Sequence, residues 1–189
     1  LTTSSAASDV YKRQEYYVAV ASGGVWKTKN WGVSYEPIFD KENSYSIGCL
    51  AIDPMNSNVV WVGTGENNNQ RSVAYGDGVY KSLDGGKSWK NMGLKNSEHI
   101  GNILIHPNNS NIVYVAAYGP LWDKGGDRGI YKSENGGDDW ERILYVDEHT
   151  GFNEIHMDPR NPEVLYASGF LGSISVSYTH LRAHETLLD

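Results

Sequence analysis

Ser82-Leu83-Asp84-Gly85-Gly86-Lys87-Ser88-Trp89 is one of three copies of the same turn in this chain. The other two read Thr28-Lys29-Asn30-Trp31-Gly32-Val33-Ser34-Tyr35 and Ser133-Glu134-Asn135-Gly136-Gly137-Asp138-Asp139-Trp140. Each has a hydroxyl residue, Asp or Asn two positions on, Gly two further, and an aromatic three after that. Successive copies are offset by 54 and 51 residues. The physics of the turn is local. The Asp or Asn side chain accepts hydrogen bonds from nearby backbone N–H groups, and the Gly supplies the positive φ that a tight hairpin demands. Self-similarity at this period marks a solenoid, a propeller or an array, and it outweighs any local propensity.

The flanking residues recur as well. Gly24-Val25-Trp26-Lys27, Gly78-Val79-Tyr80-Lys81 and Gly129-Ile130-Tyr131-Lys132 lead into the turns. Upstream lie Tyr17-Val18-Ala19-Val20, Val60-Trp61-Val62-Gly63, Val113-Tyr114-Val115-Ala116 and Leu165-Tyr166-Ala167-Ser168. Short runs rich in Val, Ile, Tyr and Trp, bounded by Gly, Pro, Asn and Asp, read as strands. No stretch sustains a helical period with caps. The best copy predicts strands at about 99–106, 112–117, 129–134 and 139–145, with the recurrent turn joining the last two. Four short strands per unit of about fifty residues is the pattern of a propeller blade. The expected fold is therefore all-β: a fragment of a β-propeller with two complete four-stranded blades and two partial ones, at about 15–39, 46–93, 99–145 and 151–175. Two full blades with cut neighbours expose apolar faces and strand edges, so the isolated fragment is expected to aggregate.

The two ends read differently. Residues 4–14, SSAASDVYKRQ, and 176–186, VSYTHLRAHET, resemble translations of a transposase-type sequencing-library adapter and of its partner adapter read outward. Segments 1–14 and 176–189 are accordingly set outside the fold, leaving 15–175 as the natural part of a longer gene. The chain has 16 Lys and Arg against 23 Asp and Glu, a net charge of −7. The two ends carry equal numbers of each sign, so removing them leaves this balance unchanged. An acidic chain without a basic stripe argues against nucleic acid and anionic membranes as partners. The single cysteine, Cys49, lies in an apolar run and reads as a core residue.

The recurrent turn resembles the Asp-box of bacterial-neuraminidase (BNR) repeats, found in sialidases, sortilin-type propellers and related glycosidases. Ser82, Asp84, Gly86 and Trp89 match it fully; Thr28, Asn30 and Gly32, and Ser133, Asn135, Gly137 and Trp140, match with Asn in place of Asp. The resemblance covers nearly all of 15–175, including ASGGVWKT, SYSIGCLAIDP, VVWVGTGENN and YGDGVYKSLDGGKSW. It implies that these residues are structural, away from the active face, and that the aromatic pins the outer strand to its neighbour. It further implies a secreted, periplasmic or envelope protein that binds a protein, peptide or carbohydrate ligand.

Opposite the turns, two long connections stand out: 64–77, TGENNNQRSVAYGD, and 118–128, YGPLWDKGGDR. Long loops on a tight repeat scaffold are either functional or disordered. They offer Glu66, Arg71, Tyr75, Asp77, Trp122, Asp123, Asp127 and Arg128 as candidate ligand-facing residues. An exposed aromatic beside acids and Arg suits a sugar or peptide site; a solvated loop with an anchoring Trp is the plainer alternative. Glu98-His99 and Glu148-His149 recur at the start of the innermost strand. Zinc favours such ligands, but the first unit has Tyr45-Ser46 there and no third ligand is evident. No metal or cofactor is expected. Gly63-Thr64-Gly65 is not a dinucleotide fingerprint, since Asn68 breaks the pattern and no helix follows.

No catalytic set is visible, so the reading leans toward a sortilin-like binding scaffold and away from an enzyme. The rival is a two-propeller xyloglucan hydrolase, which uses a pair of acids flanking the scissile bond. Its resemblance implies a first-propeller Asp in a motif like Thr-Asp-x-Gly-Gly-aliphatic-aromatic. Here Val20-Ala21-Ser22-Gly23-Gly24-Val25-Trp26 matches, with Ala21 in place of the acid. In that rival reading the catalytic acids lie outside this segment or in the long loops. A sialidase would require an arginine cluster and a Tyr–Glu pair, and neither is recognisable.

Overall fold

The computed structural model describes residues 3–8, 14–66 and 73–171. They form three four-stranded antiparallel sheets and a two-stranded one, each ordered as in the sequence. The first sheet is β1 (Thr3–Ser8), β2 (Tyr16–Val20), β3 (Gly24–Thr28) and β4 (Glu36–Pro37). The second is β5 (Ile47–Asp53), β6 (Asn56–Thr64), β7 (Val79–Ser82) and β8 (Lys90–Gly93). The third is β9 (Ile100–Ile105), β10 (Val113–Ala117), β11 (Gly129–Ser133) and β12 (Glu141–Leu144), on the four strands expected for that unit. The hairpin of β13 (Thr150–Asp158) and β14 (Asn161–Leu171) begins a fourth. Among the described residues no helix is long and apolar enough to cross a membrane.

Residues 1–14 were set outside the fold by their sequence, yet the backbone of β1 runs along β2, with Ala7 opposite Tyr17. A ladder needs only N–H and C=O groups, so the open edge of β2 accepts this segment whatever its side chains. Residues 9–13 and 172–189, and with them most of the two adapter-like ends, lie outside the described residues.

The sheets stack face to face, with β5 packed against β1 and β9, and β9 against β13. Each junction holds its own core. Tyr17, Ala19, Val25 and Phe39 of the first sheet meet Ile47, Leu50, Val60, Val62 and Tyr80 of the second. Cys49, Trp61, Val79 and Met92 meet Ile100, Ile103, Val113 and Val115 across the next junction. Tyr114, Ala116 and Ile130 meet Phe152 and Ile155 across the last. A middle sheet is covered on both faces, which is why Val59–Thr64 is buried at every position and does not alternate. Full burial of one such Val, Leu or Ile contributes about 1.5–3 kcal/mol. The Cys49 thiol is one of these core groups; burial pushes it up to about 12, which leaves it unreactive.

The three turns are built alike. Ser82 Oγ accepts from Gly86 N at 2.8 Å and donates to Asp84 Oδ1 at 2.8 Å. Asp84 Oδ1 then takes the N–H groups of Lys87 and Ser88, each at 2.9 Å. Thr28 and Asn30 repeat this with Gly32 and Ser34, and Ser133 and Asn135 repeat it with Gly137 and Asp139. The Ser88 hydroxyl and N–H, with the Ser82 hydroxyl and the Lys87 N–H, hold the Asp84 carboxyl well below the usual carboxylate range. Left-handed backbone is needed at two successive positions, Gly85 (φ 72°) and Gly86 (φ 89°). In the first copy Trp31 occupies the former position at φ 63°.

The aromatics of the second and third turns reach across to the preceding sheet. Trp89 Nε1 donates to Ile38 O of the preceding sheet at 2.8 Å, and Trp140 Nε1 to Met92 O at 2.7 Å. From the other side, Lys27 Nζ donates to Gly85 O and Lys81 Nζ to Gly136 O, at 3.3 and 2.8 Å. Each lysine also sits over an aromatic ring of its own sheet, Tyr17 or Trp61, at 4.9 Å from the centroid. The turn is thus a clasp between sheets.

Candidate ligand-binding rim

The end opposite the clasps carries the β4–β5, β6–β7, β8–β9, β10–β11 and β12–β13 connections. A short polar residue ahead of each inner strand anchors them. Ser46 O accepts Gly65 N at 2.8 Å, and His99 O accepts Tyr118 N at 2.9 Å. Ser97 Oγ donates to His99 O at 2.7 Å and accepts Gly119 N at 3.2 Å. Ser44 Oγ lies 3.2 Å from Tyr75 O, and Ser46 Oγ donates to Ala74 O at 3.0 Å. The 73–77 stretch is therefore tied to the start of β5, and the head of the 118–128 loop to the start of β9.

Against this frame the residues singled out from the sequence divide into two groups. Arg128 does not face a ligand: it is 0 % exposed and donates to the carbonyls of Gly125, Tyr118, Asp123 and Pro120. Its planar fork, the one side chain with five donors, holds the loop in shape. Asp77 clamps a strand junction, accepting the Tyr80 hydroxyl at 2.6 Å while its own N–H goes to Thr64 Oγ1. Burial and this contact push the Tyr80 phenol up to about 12. Asp127 exchanges two bonds with Asn96, its carboxylate accepting the Asn96 N–H at 3.1 Å. Glu66 is buried, and its N–H donates to Ala74 O. Arg71 lies outside the described residues.

The exposed group is Tyr75, Trp122 and Asp123. Tyr75 is 57 % and Trp122 51 % exposed, both high for large aromatics, and the Asp123 side chain is open to solvent. Glu98 joins them. Half-buried at φ 62°, it has its proton affinity raised by burial and by the Asp123 charge, with Arg128 acting the other way. The repeat of Glu-His pairs marked this residue, but its pairing with Asp123 depends on a loop 25 positions away in the sequence.

His99, next to it, is 0 % exposed, and neither ring nitrogen has a hydrogen-bond partner. The Glu66 backbone beside it favours the protonated ring, and the Tyr75 ring stands 5.8 Å from the imidazole. Burial, reinforced by Arg128, lowers the imidazole to about 4, so it is neutral at ordinary pH. Glu148 is taken up by Lys124 at 3.3 Å and lies 3.5 Å from His149. Among the described residues no group of three or more His, Cys, Asp or Glu side chains is placed to hold a metal ion. Ala21 is buried at the β2–β3 turn and has no ionisable group to offer.

Stacked antiparallel sheets, three of them four-stranded, define an all-β fold of the kind seen in GH74 enzymes. The solved structure of an ancestral GH74 enzyme superposes with a TM-score of 0.71 at 21 % identity, over 87 % of this chain and 21 % of that one. The GH74 xyloglucanase from Xanthomonas campestris superposes at 0.66 and 18 % identity, over 87 % and 26 %. In sequence, a probable oligoxyloglucan-reducing end-specific xyloglucanase of Neosartorya fischeri is 30 % identical over 165 residues, 80 % of this chain and 18 % of that protein. The chain thus spans less than a fifth of that relative's length. No family model matches it.

These likenesses overturn four expectations drawn from the sequence. The resemblance to sortilin-type, BNR-repeat propellers gives way to one with GH74 xyloglucanases. With it go the Asp-box and sortilin-like labels, the reading as a sortilin-like binding scaffold, and the leaning away from an enzyme. The xyloglucan-hydrolase alternative is the better supported one. The physical reason is that the turn is a local solution to a tight hairpin, so it does not tell a binding propeller from a hydrolase.

Proposed function

We propose that this chain is a segment of a secreted glycoside hydrolase acting on xyloglucan or a similarly branched β-glucan. Its sheets are blades of a propeller completed by further blades beyond this segment. Its rim forms one wall of the cleft that holds the polysaccharide. The observation that carries this reading is the pair of exposed aromatics, Tyr75 and Trp122, on the same rim as Asp123 and Glu98, in a fold shared with xyloglucanases. Flat aromatic faces pack against the apolar faces of sugar rings, and carboxylates accept hydrogen bonds from their hydroxyls.

Hydrolysis of a glycosidic bond requires two carboxyl groups, one to protonate the leaving oxygen and one to act as base or nucleophile. Ala21 can do neither, and Asp77 and Asp127 are held in structural hydrogen bonds. The catalytic pair is assigned to blades outside this segment, and Tyr75, Trp122 and Asp123 to substrate binding. Titration of the folded protein with a xylose-branched glucan oligosaccharide, followed by tryptophan fluorescence, tests this. Trp122→Ala should weaken binding about tenfold or more, with an unbranched glucan of equal length as the control. Binding that is absent, or indifferent to Trp122 and Tyr75, would overturn the assignment.

A further inference from the structure

Two clasps are closed within the described residues, and the receiving half of a third is built. The ladder register aligns the receiving groups. Lys27 lies opposite Tyr17, Lys81 opposite Trp61, and Lys132 opposite Tyr114. The carbonyls that take the indole N–H belong to Ile38 and Met92, each one residue past the partner of Trp26 or Tyr80. Ile143 holds that position in the third sheet, one past Arg142, the partner of Tyr131. Tyr114, Lys132 and Ile143 thus repeat the arrangement that receives the second turn on Tyr17, Lys27 and Ile38, and the third on Trp61, Lys81 and Met92.

Lys132 departs from its two equivalents. Lys27 and Lys81 donate to the carbonyl of a left-handed glycine in the following sheet, whereas Lys132 Nζ turns back to Glu134 of its own turn at 2.7 Å. Its side chain is 27 % exposed, against 12 % for Lys27. Residues 172–189 contain no Ser/Thr-x-Asp/Asn-x-Gly sequence that could dock there.

We infer that Tyr114, Lys132 and the Ile143 carbonyl form a docking site for a hairpin turn of the form Ser/Thr-x-Asp/Asn-x-Gly with an aromatic three residues after the Gly. The occupant is the outer hairpin of the sheet that β13 and β14 begin. The Lys132 ammonium takes the carbonyl of the residue before the Gly, and the indole N–H of the turn takes Ile143 O. The repeat itself names this partner, because the same chain shows twice what such a face receives.

The test joins residues 67–93 of the chain after Leu171, which supplies a connection, a third strand, the turn and a fourth strand in register. Amine labelling of the native fold, read by mass spectrometry, then compares Lys27, Lys81 and Lys132. Lys132 is expected to react about tenfold more slowly in the extended chain than in the original, and Gly86→Val in the appended copy should restore fast labelling. Lys132 reacting at one rate in both chains would overturn the inference. A second measurement needs only the original chain. Lys81→Met should lower the thermal midpoint and Lys132→Met should leave it unchanged; equal losses would show that Lys132 is already engaged. Neither readout involves a sugar, so failure here is distinct from failure of the proposed function.

Discussion

At Ser82 one hydroxyl accepts from Gly86 N and Asp84 N and donates to the Asp84 carboxylate. Ser82→Ala leaves buried N–H groups unmatched and is expected to cost about 1–3 kcal/mol, measured by urea denaturation; an unchanged midpoint would contradict the clasp geometry. His99 behaves oppositely, since its ring nitrogens have no partners to lose. His99→Leu should leave stability equal or higher at neutral pH. Its pH dependence has a definite sign. The folded pKa of about 4 lies below the ordinary histidine value of about 6.5. The unfolded chain therefore binds the extra proton first, and stability falls as pH drops from about 6.5 toward 4. His99→Leu should flatten that part of the profile; a slope that persists would assign it elsewhere. Asp84, with its depressed pKa, adds stability above the unfolded carboxylate value near 4 that is lost further into acid. The residue scale is also where sequence reading reached least far. Arg128, Asp77 and Asp127 look like ligand groups in a linear loop, and only the folded loop brings to them the carbonyls, hydroxyls and N–H groups that take up their polar atoms.

For the elements, strand positions were legible because three copies averaged out local ambiguity: 112–117 and 129–134 were expected, and β10 and β11 lie at Val113–Ala117 and Gly129–Ser133. What the copies could not show is where a turn's aromatic goes, since Trp140 and its acceptor Met92 O are 48 residues apart. Trp140 also meets Trp61 edge to face, the centroids 6.3 Å apart. Trp140→Phe removes the N–H donor and part of that contact, and should cost about 1–2 kcal/mol. Tyr35→Phe, at the matching position of the first turn, loses only a bond to Tyr16 on the exposed surface and should cost much less. Paired denaturation curves of the two variants check this, and equal losses would deny the clasp its role between sheets.

On the scale of the whole molecule, successive sheets share cores, so each sheet's stability depends on its neighbours. That dependence made the architecture readable from a period, while the activity was not: the hairpin chemistry repeated in three of the four sheets is common to binding and hydrolytic propellers. The rim groups Tyr75, Trp122, Asp123 and Glu98 lie in connections whose side chains differ from one sheet to the next, so the repeat does not assign them a role. We propose that this rim belongs to a xyloglucan hydrolase whose catalytic acids lie on further blades. The most direct test is release of new reducing ends from xyloglucan by the polypeptide that carries this segment with its remaining blades. The account predicts hydrolysis of xyloglucan in preference to unbranched cellulose, with kcat/KM reduced about tenfold or more by Trp122→Ala. An intact, folded protein that releases no reducing ends, or whose activity ignores Trp122, would contradict it.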